Sequence, residues 1–126
     1  MRRLVLILVA AAGLNGCSEP PSASESASLQ VTLSSPFPDD GALLFKVTGG
    51  RVDSVESSGY TVYLSRLDAN TLEVIVTGQL SSGTIARLHI ASERLALAYS
   101  ASVIQAAARG SYTQRDPAAY GLTLAP

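Results

Sequence analysis

From residue 29 onward, apolar and polar side chains alternate along the chain with a period of two. "LQVTL" puts Leu29, Val31 and Leu33 on one face and Gln30 and Thr32 on the other, the pattern of a half-buried strand. "PFPDDG" (36–41) interrupts it with two prolines and a glycine around Asp39 and Asp40, which predicts a solvated turn. "ALLFKVTGG" then predicts a strand with Leu43, Phe45 and Val47 facing together, stopped by Gly49 and Gly50. After the short "RVDSV", "YTVYLS" sets Tyr60, Val62 and Leu64 against Thr61, Tyr63 and Ser65. "RLDANT" carries the residues of a hairpin turn and leads into "LEVIVTG", where Leu72, Val74 and Val76 oppose Glu73, Ile75 and Thr77. In "TIARLHI", Thr84, Ala86, Leu88 and Ile90 alternate with Ile85, Arg87 and His89.

Residues 91–110, "ASERLALAYSASVIQAAARG", carry two signals. Seven alanines, Ser92 as a cap and Gly110 as a stop fit a helix. Against that, Tyr99, Ala101 and Val103 share one parity among small and polar neighbours, and this pattern predicts a strand. Pro117 closes a turn, and Tyr120, Leu122 and Leu124 form a last alternating segment. Strands recurring every ~10–12 residues with turn chemistry between them predict an all-β fold, a small antiparallel β-sandwich of about seven to nine strands. "VTG" (47–49, 76–78) and "SSG" (57–59, 81–83) recur as strand endings, without the fixed period of a repeat architecture.

The first 28 residues follow a different grammar. Arg2 and Arg3 precede "LVLILVAAA", an apolar run of nine that covers about half of a ~30 Å hydrocarbon core, so residues 1–16 predict an export signal and not a membrane span. Leu14, Asn15, Gly16 and Cys17 then resemble the lipobox of bacterial lipoproteins. The resemblance implies a peptidase that cuts after Gly16 and a thioether lipid on Cys17, the only cysteine in the chain. Asn15 stands where the pattern usually has a small residue. Acyl chains stabilise membrane attachment by about 0.8 kcal/mol per buried CH₂, so two or more anchor a protein permanently. Ser18 resembles the outer-membrane default of Gram-negative sorting. Residues 17–28 then predict a lipidated cysteine followed by a flexible linker. Residues 18–28, "SEPPSASESAS", hold five Ser, two Pro, two Glu and two Ala, with nothing large and apolar to bury. A tether of this length reaches about 15–20 Å. The folded domain is predicted to occupy 29–126.

The order "GALLFKVTGG…TVYLSRLDANTLEVIVTGQLSSGTIARLHI…AYSASVIQ" resembles the cohesin-like β-sandwich of bacterial extracellular proteins, and more closely short bacterial lipoproteins of that build. The likeness implies an Ig-like or cohesin-like sandwich presenting a recognition face. It transfers no recognition residue.

Composition narrows the chemistry. With 126 residues, 15% charged and a formal net charge of -1, the chain lacks the basic surplus that nucleic-acid binding requires. His89 is the only histidine and has no partner at a motif spacing, which predicts a surface imidazole and no catalytic centre. Zinc needs clustered Cys and His, so no metal or other cofactor is expected. The one oxygen-ligand set worth weighing is Asp39, Asp40, Asp53 and Glu56 around Ca²⁺, against a solvated turn. Of the five tyrosines, Tyr63 lies opposite the Val62 face and is the candidate ligand contact. The expectation is a noncatalytic lipoprotein of the cell envelope, anchored in the bilayer through Cys17 and presenting a protein-binding or adhesion module. A carbohydrate-binding module using Tyr63 is the alternative, and an envelope hydrolase ranks behind both. The partner is then an envelope protein or a polysaccharide, and the outer membrane is the location in a Gram-negative cell.

Overall fold

A computed structural model describes residues 27–126; the lipobox, Cys17 and most of the tether lie outside the described residues. Nine strands follow in order: β1 (Ala27–Ser34), β2 (Asp40–Thr48), β3 (Val52–Ser57), β4 (Thr61–Asp68), β5 (Thr71–Leu80), β6 (Gly83–Ile90), β7 (Ser100–Ala108), β8 (Gln114–Arg115) and β9 (Gly121–Ala125). They form two antiparallel sheets, β3-β6-β1-β9 and β4-β5-β2-β7-β8. The fold is the small all-β sandwich that the alternation predicts.

β1 begins at Ala27, opposite Ile90, two residues before the boundary read from composition. The inner faces carry the predicted apolar sets. Leu29, Val31 and Leu33 of β1, Leu43, Phe45 and Val47 of β2, Leu72, Val74 and Val76 of β5, and Leu88 and Ile90 of β6 are all buried in one core. Burying a Phe or Leu side chain stabilises a fold by about 1.5–3 kcal/mol, and this shared core is the main force joining the sheets.

Three bulges change which side chains face inward. In β6, Val31 pairs with Ala86 but Thr32 pairs with Thr84, so Ile85 is the extra residue. Ile85 is buried and Thr84 is exposed, the reverse of the strict alternation read from "TIARLHI". In β7, Phe45 pairs with Val103 and Leu44 with Gln105, which leaves Ile104 over. The inward set therefore switches from Tyr99, Ala101 and Val103 to Ala106 and Ala108. At the start of β2, Asp40 pairs with Leu80 and Ala42 with Thr77, so Gly41 faces both Gly78 and Gln79.

The segment over 91–110 divides between the two signals it carries. Glu93–Ala98 is a 3-10 helix capped by Ser92, whose hydroxyl accepts from Arg94 N–H at 3.2 Å. β7 follows immediately as the predicted strand. The phenol of Tyr99 packs inward between the two and donates to Arg51 C=O at 2.5 Å.

The Gly41 bulge turns Asp40 into the core. Asp40 is fully buried, which corrects the expectation of a solvated turn for this residue. Its carboxylate accepts from the Ser35 hydroxyl, from Tyr120 OH at 2.6 Å and from Arg115 Nη1 at 3.0 Å. Arg115 Nη2 reaches Asp39 at 2.8 Å, and its guanidinium covers the Phe37 ring at 4.1 Å. Phe37 in turn packs on Tyr120, with ring centroids 5.9 Å apart. One buried charge thus joins β2 of one sheet to the segment entering β9 of the other, and fastens the two-residue β8. At the side edge, Arg66 of β4 crosses toward the opposite sheet and donates to Val52 C=O at 2.6 Å.

Two measurements test this arrangement. Asp40→Ala leaves Arg115 and Tyr120 facing a void, and urea unfolding should lose about 3–5 kcal/mol, as for breaking a buried ion pair; Phe45→Ala should cost a similar amount through its cavity. A loss under ~1 kcal/mol for Asp40→Ala would mean that the network is replaceable. The second measurement concerns pH. Burial, then hydrogen bonding and charge repulsion from Asp40, push the Tyr120 phenol up to about 12. Its folded value therefore lies above the unfolded value near 10, so its contribution is complete below pH ~10 and is lost as pH rises toward about 12. Stability should fall by roughly 2 kcal/mol across that window, and Tyr120→Phe should flatten the fall. Tyr99, raised by burial and by Asp53, adds a residual slope of the same sign.

Candidate functional site

The outer faces of the two sheets differ in chemistry. On the four-stranded sheet, cross-strand rows run Glu56, Arg87, Gln30 and Ser54, His89, Ser28, all polar. On the five-stranded sheet, the central row runs Tyr63, Ile75, Leu44 and Gln105, and its aromatic end stands 58% exposed. The five-stranded sheet thus carries an exposed apolar row that the four-stranded sheet lacks.

A surface cleft of about 460 Å³ opens beside Tyr63, lined by Gly41, Thr77, Gly78, Gln79, Arg109 and Tyr112. Its floor is the Gly41 bulge. A Cβ on Gly41 would lie 2.6 Å from the Arg109 Cα, and one on Gly78, whose φ is +140°, would press on the Tyr60 ring at 3.1 Å. Both glycines bring main chain close to neighbouring groups, Gly41 to the Arg109 backbone and Gly78 to the Tyr60 ring, an approach that a side chain would prevent. A smaller hollow of about 100 Å³ continues on the far side of Tyr63, between Leu44, Leu64, Ser65, Glu73 and Ile75.

The opposite wall comes from the loop after β7. Arg109 N–H donates to Asp39 C=O at 2.7 Å, Ala108 N–H to Thr113 C=O at 2.9 Å, and Tyr112 N–H to Ala108 C=O at 3.0 Å. These bonds hold Tyr112 at φ 57°, the one described non-glycine residue with positive φ. That conformation costs an L-residue about 1–2 kcal/mol, and such residues concentrate at binding sites. The Tyr112 side chain is 68% exposed, so the strain secures no core contact. It sets a second aromatic side chain beside Tyr63 among those lining the cleft. Arg109, Gln79 and Thr77 line the same cleft and bring hydrogen-bonding side chains to it.

Of the residues singled out from sequence, Tyr63 lies at this site. Tyr112, weighed with the other tyrosines but not singled out, and Arg109 join it here because their positions depend on the turn and bulges at the end of β7. Cys17, Leu14, Asn15 and Gly16 lie outside the described residues. His89 sits on the polar face with Nε2 3.4 Å from Glu56. The four carboxylates weighed for Ca²⁺ do not converge: Asp39 and Asp40 bind Arg115, Asp53 binds Arg51 at 3.1 Å, and Glu56 meets His89. Among the described residues, no three His, Cys, Asp or Glu side chains gather in a way that could hold a metal ion.

No protein-family model matches the chain, and neither a curated protein nor a solved structure does. The site is therefore read from its own geometry.

The strain at Tyr112 gives a direct test. Tyr112→Gly should raise thermal stability by about 1 kcal/mol, because glycine adopts this conformation without penalty. Gly41→Ala should lower it, since its Cβ meets main chain. A stability loss in Tyr112→Gly, measured by calorimetry, would show that the ring serves packing.

Proposed function

We propose that the chain is a noncatalytic envelope lipoprotein, anchored through Cys17, whose sandwich binds a glycan in the Tyr63–Tyr112 cleft. The observation that carries this reading is a cleft lined by two exposed tyrosines, Tyr63 and Tyr112, together with Arg109, Gln79 and Thr77. Sugar rings present apolar C–H faces and a rim of hydroxyls. Flat aromatic rings match the former, and guanidinium, amide and hydroxyl groups match the latter. A strained, hydrogen-bonded loop holds one ring in place before the ligand arrives, which lowers the ordering cost of binding. The anchoring half of the reading is supported by the charged start, apolar run and Leu14-Asn15-Gly16-Cys17 order.

A second reading, a protein partner, is favoured by a different observation. Tyr63, Ile75 and Leu44 form a continuous apolar row across three strands, with Tyr63 58% and Ile75 39% exposed. A partner contacting this row would cover the face without entering the cleft.

Affinity electrophoresis of the chain truncated before Ala27, through gels loaded with different polysaccharides, should show retardation by at least one of them. Tyr63→Ala and Tyr112→Ala should each weaken retention about 10-fold, near 1.4 kcal/mol. Unretarded migration in every gel would remove the glycan reading, and binding of an envelope protein lost on Ile75→Asp would put the second in its place. Mass spectrometry of the mature N-terminus should find an acylated Cys17; an acyl-free chain would remove the anchor.

A further inference from the structure

The strand directions give the sandwich two distinct poles. β2 starts at Asp40 and β7 ends at Ala108, both beside the cleft, and β5 reaches the same pole at Thr77–Leu80. At the other end lie Thr48 opposite Ser100, and Ala27 opposite Ile90. A nine-residue strand such as β7 separates the poles by roughly 27 Å. The chain therefore enters the domain at the pole opposite the cleft.

That entry pole carries the most exposed apolar side chain described. Leu97 of the 3-10 helix is 98% exposed and Leu95 is 50% exposed. Neither belongs to the core, and the Ser92 cap together with the Tyr99 hydrogen bond to Arg51 fixes the segment that displays them. A glycan or protein ligand at the cleft never reaches them. Cys17 precedes Ala27 by ten residues, a length that reaches at most ~36 Å even when fully extended. Resting on the anchoring proposed above, this keeps the entry pole near the bilayer to which Cys17 is fastened.

We propose that Leu95 and Leu97 dip into the headgroup boundary of that bilayer, so that the sandwich stands upright with its cleft facing away from the membrane. Apolar side chains at such a boundary bury ~5–10 Å deep. The flanking charges are mixed, with Arg94 beside Glu93 and Arg51 paired to Asp53. The contact is therefore driven by leucine burial and depends little on anionic lipid or salt.

The chain contains no tryptophan, so a single introduced one reports without background. The full chain, processed in a bacterium and reconstituted into phosphatidylethanolamine/phosphatidylglycerol vesicles, would carry Leu97→Trp or, at the other pole, Tyr112→Trp. Brominated lipid should quench most of the Leu97→Trp emission and leave that of Tyr112→Trp unchanged, and the quenching should persist in high salt. If the protein floats with the vesicles but Leu97→Trp is unquenched, or both probes are quenched alike, the upright contact is wrong while the anchor stands. Blue-shifted but unquenched Leu97→Trp would mean that protein covers the leucines, which also overturns the proposal. Failure to float would overturn the anchor and this contact with it.

Discussion

A single buried carboxylate sets the geometry at the cleft end of the sandwich. Asp40 cannot be left in a dry core without partners, so Ser35, Arg115 and Tyr120 must all converge on it. Those three come from the β1–β2 connection, from β8 and from the start of β9. The requirement to satisfy one charge therefore orders segments too short or too polar to order themselves. It also holds the Gly41 bulge in register, since only the bulge turns Asp40 inward. The cleft follows from that bulge, because the same irregularity leaves Gly41 facing two residues of β5 and brings the Arg109 main chain against it.

Much of the fold was legible in the sequence because its signal is periodic. Leu29–Leu33, Leu43–Val47 and Leu72–Val76 each keep strict alternation, because the extra residues Ile85 and Ile104 fall on the partner strands β6 and β7, and each faces the core as the pattern requires. Alternation fails wherever an extra residue enters a strand. Thr84 and Ile85 exchange faces at one bulge, and the β7 inward set shifts at Ile104. No local composition marks these positions, since a bulge is fixed by the pairing register of two strands distant in sequence. The burial of Asp40 is hidden for the same reason, its partner Arg115 lying 75 residues away.

The candidate site was half legible. Tyr63 follows from parity alone, as a large ring on the face opposite Val62 and Tyr60. Tyr112 does not, because its place in the same cleft depends on a loop conformation built by three main-chain hydrogen bonds. Core, buried charge and cleft are thus linked: hydrophobic alternation sets the sheets and with them Tyr63, while the charge fixes their irregular end, where Gly41 and Arg109 line the cleft.

Arg66 has an effect that reaches past the single molecule. β4 is an outer strand with exposed leucines, the kind of border onto which another copy's strand could add. Arg66 stretches its guanidinium from that border to the Val52 carbonyl of the neighbouring sheet, so the outer strand carries a charged side chain, one of the devices that discourage edge-to-edge pairing. The same side chain that ties the two sheets together on this side thus makes the outer strand a poorer template for another copy's strand.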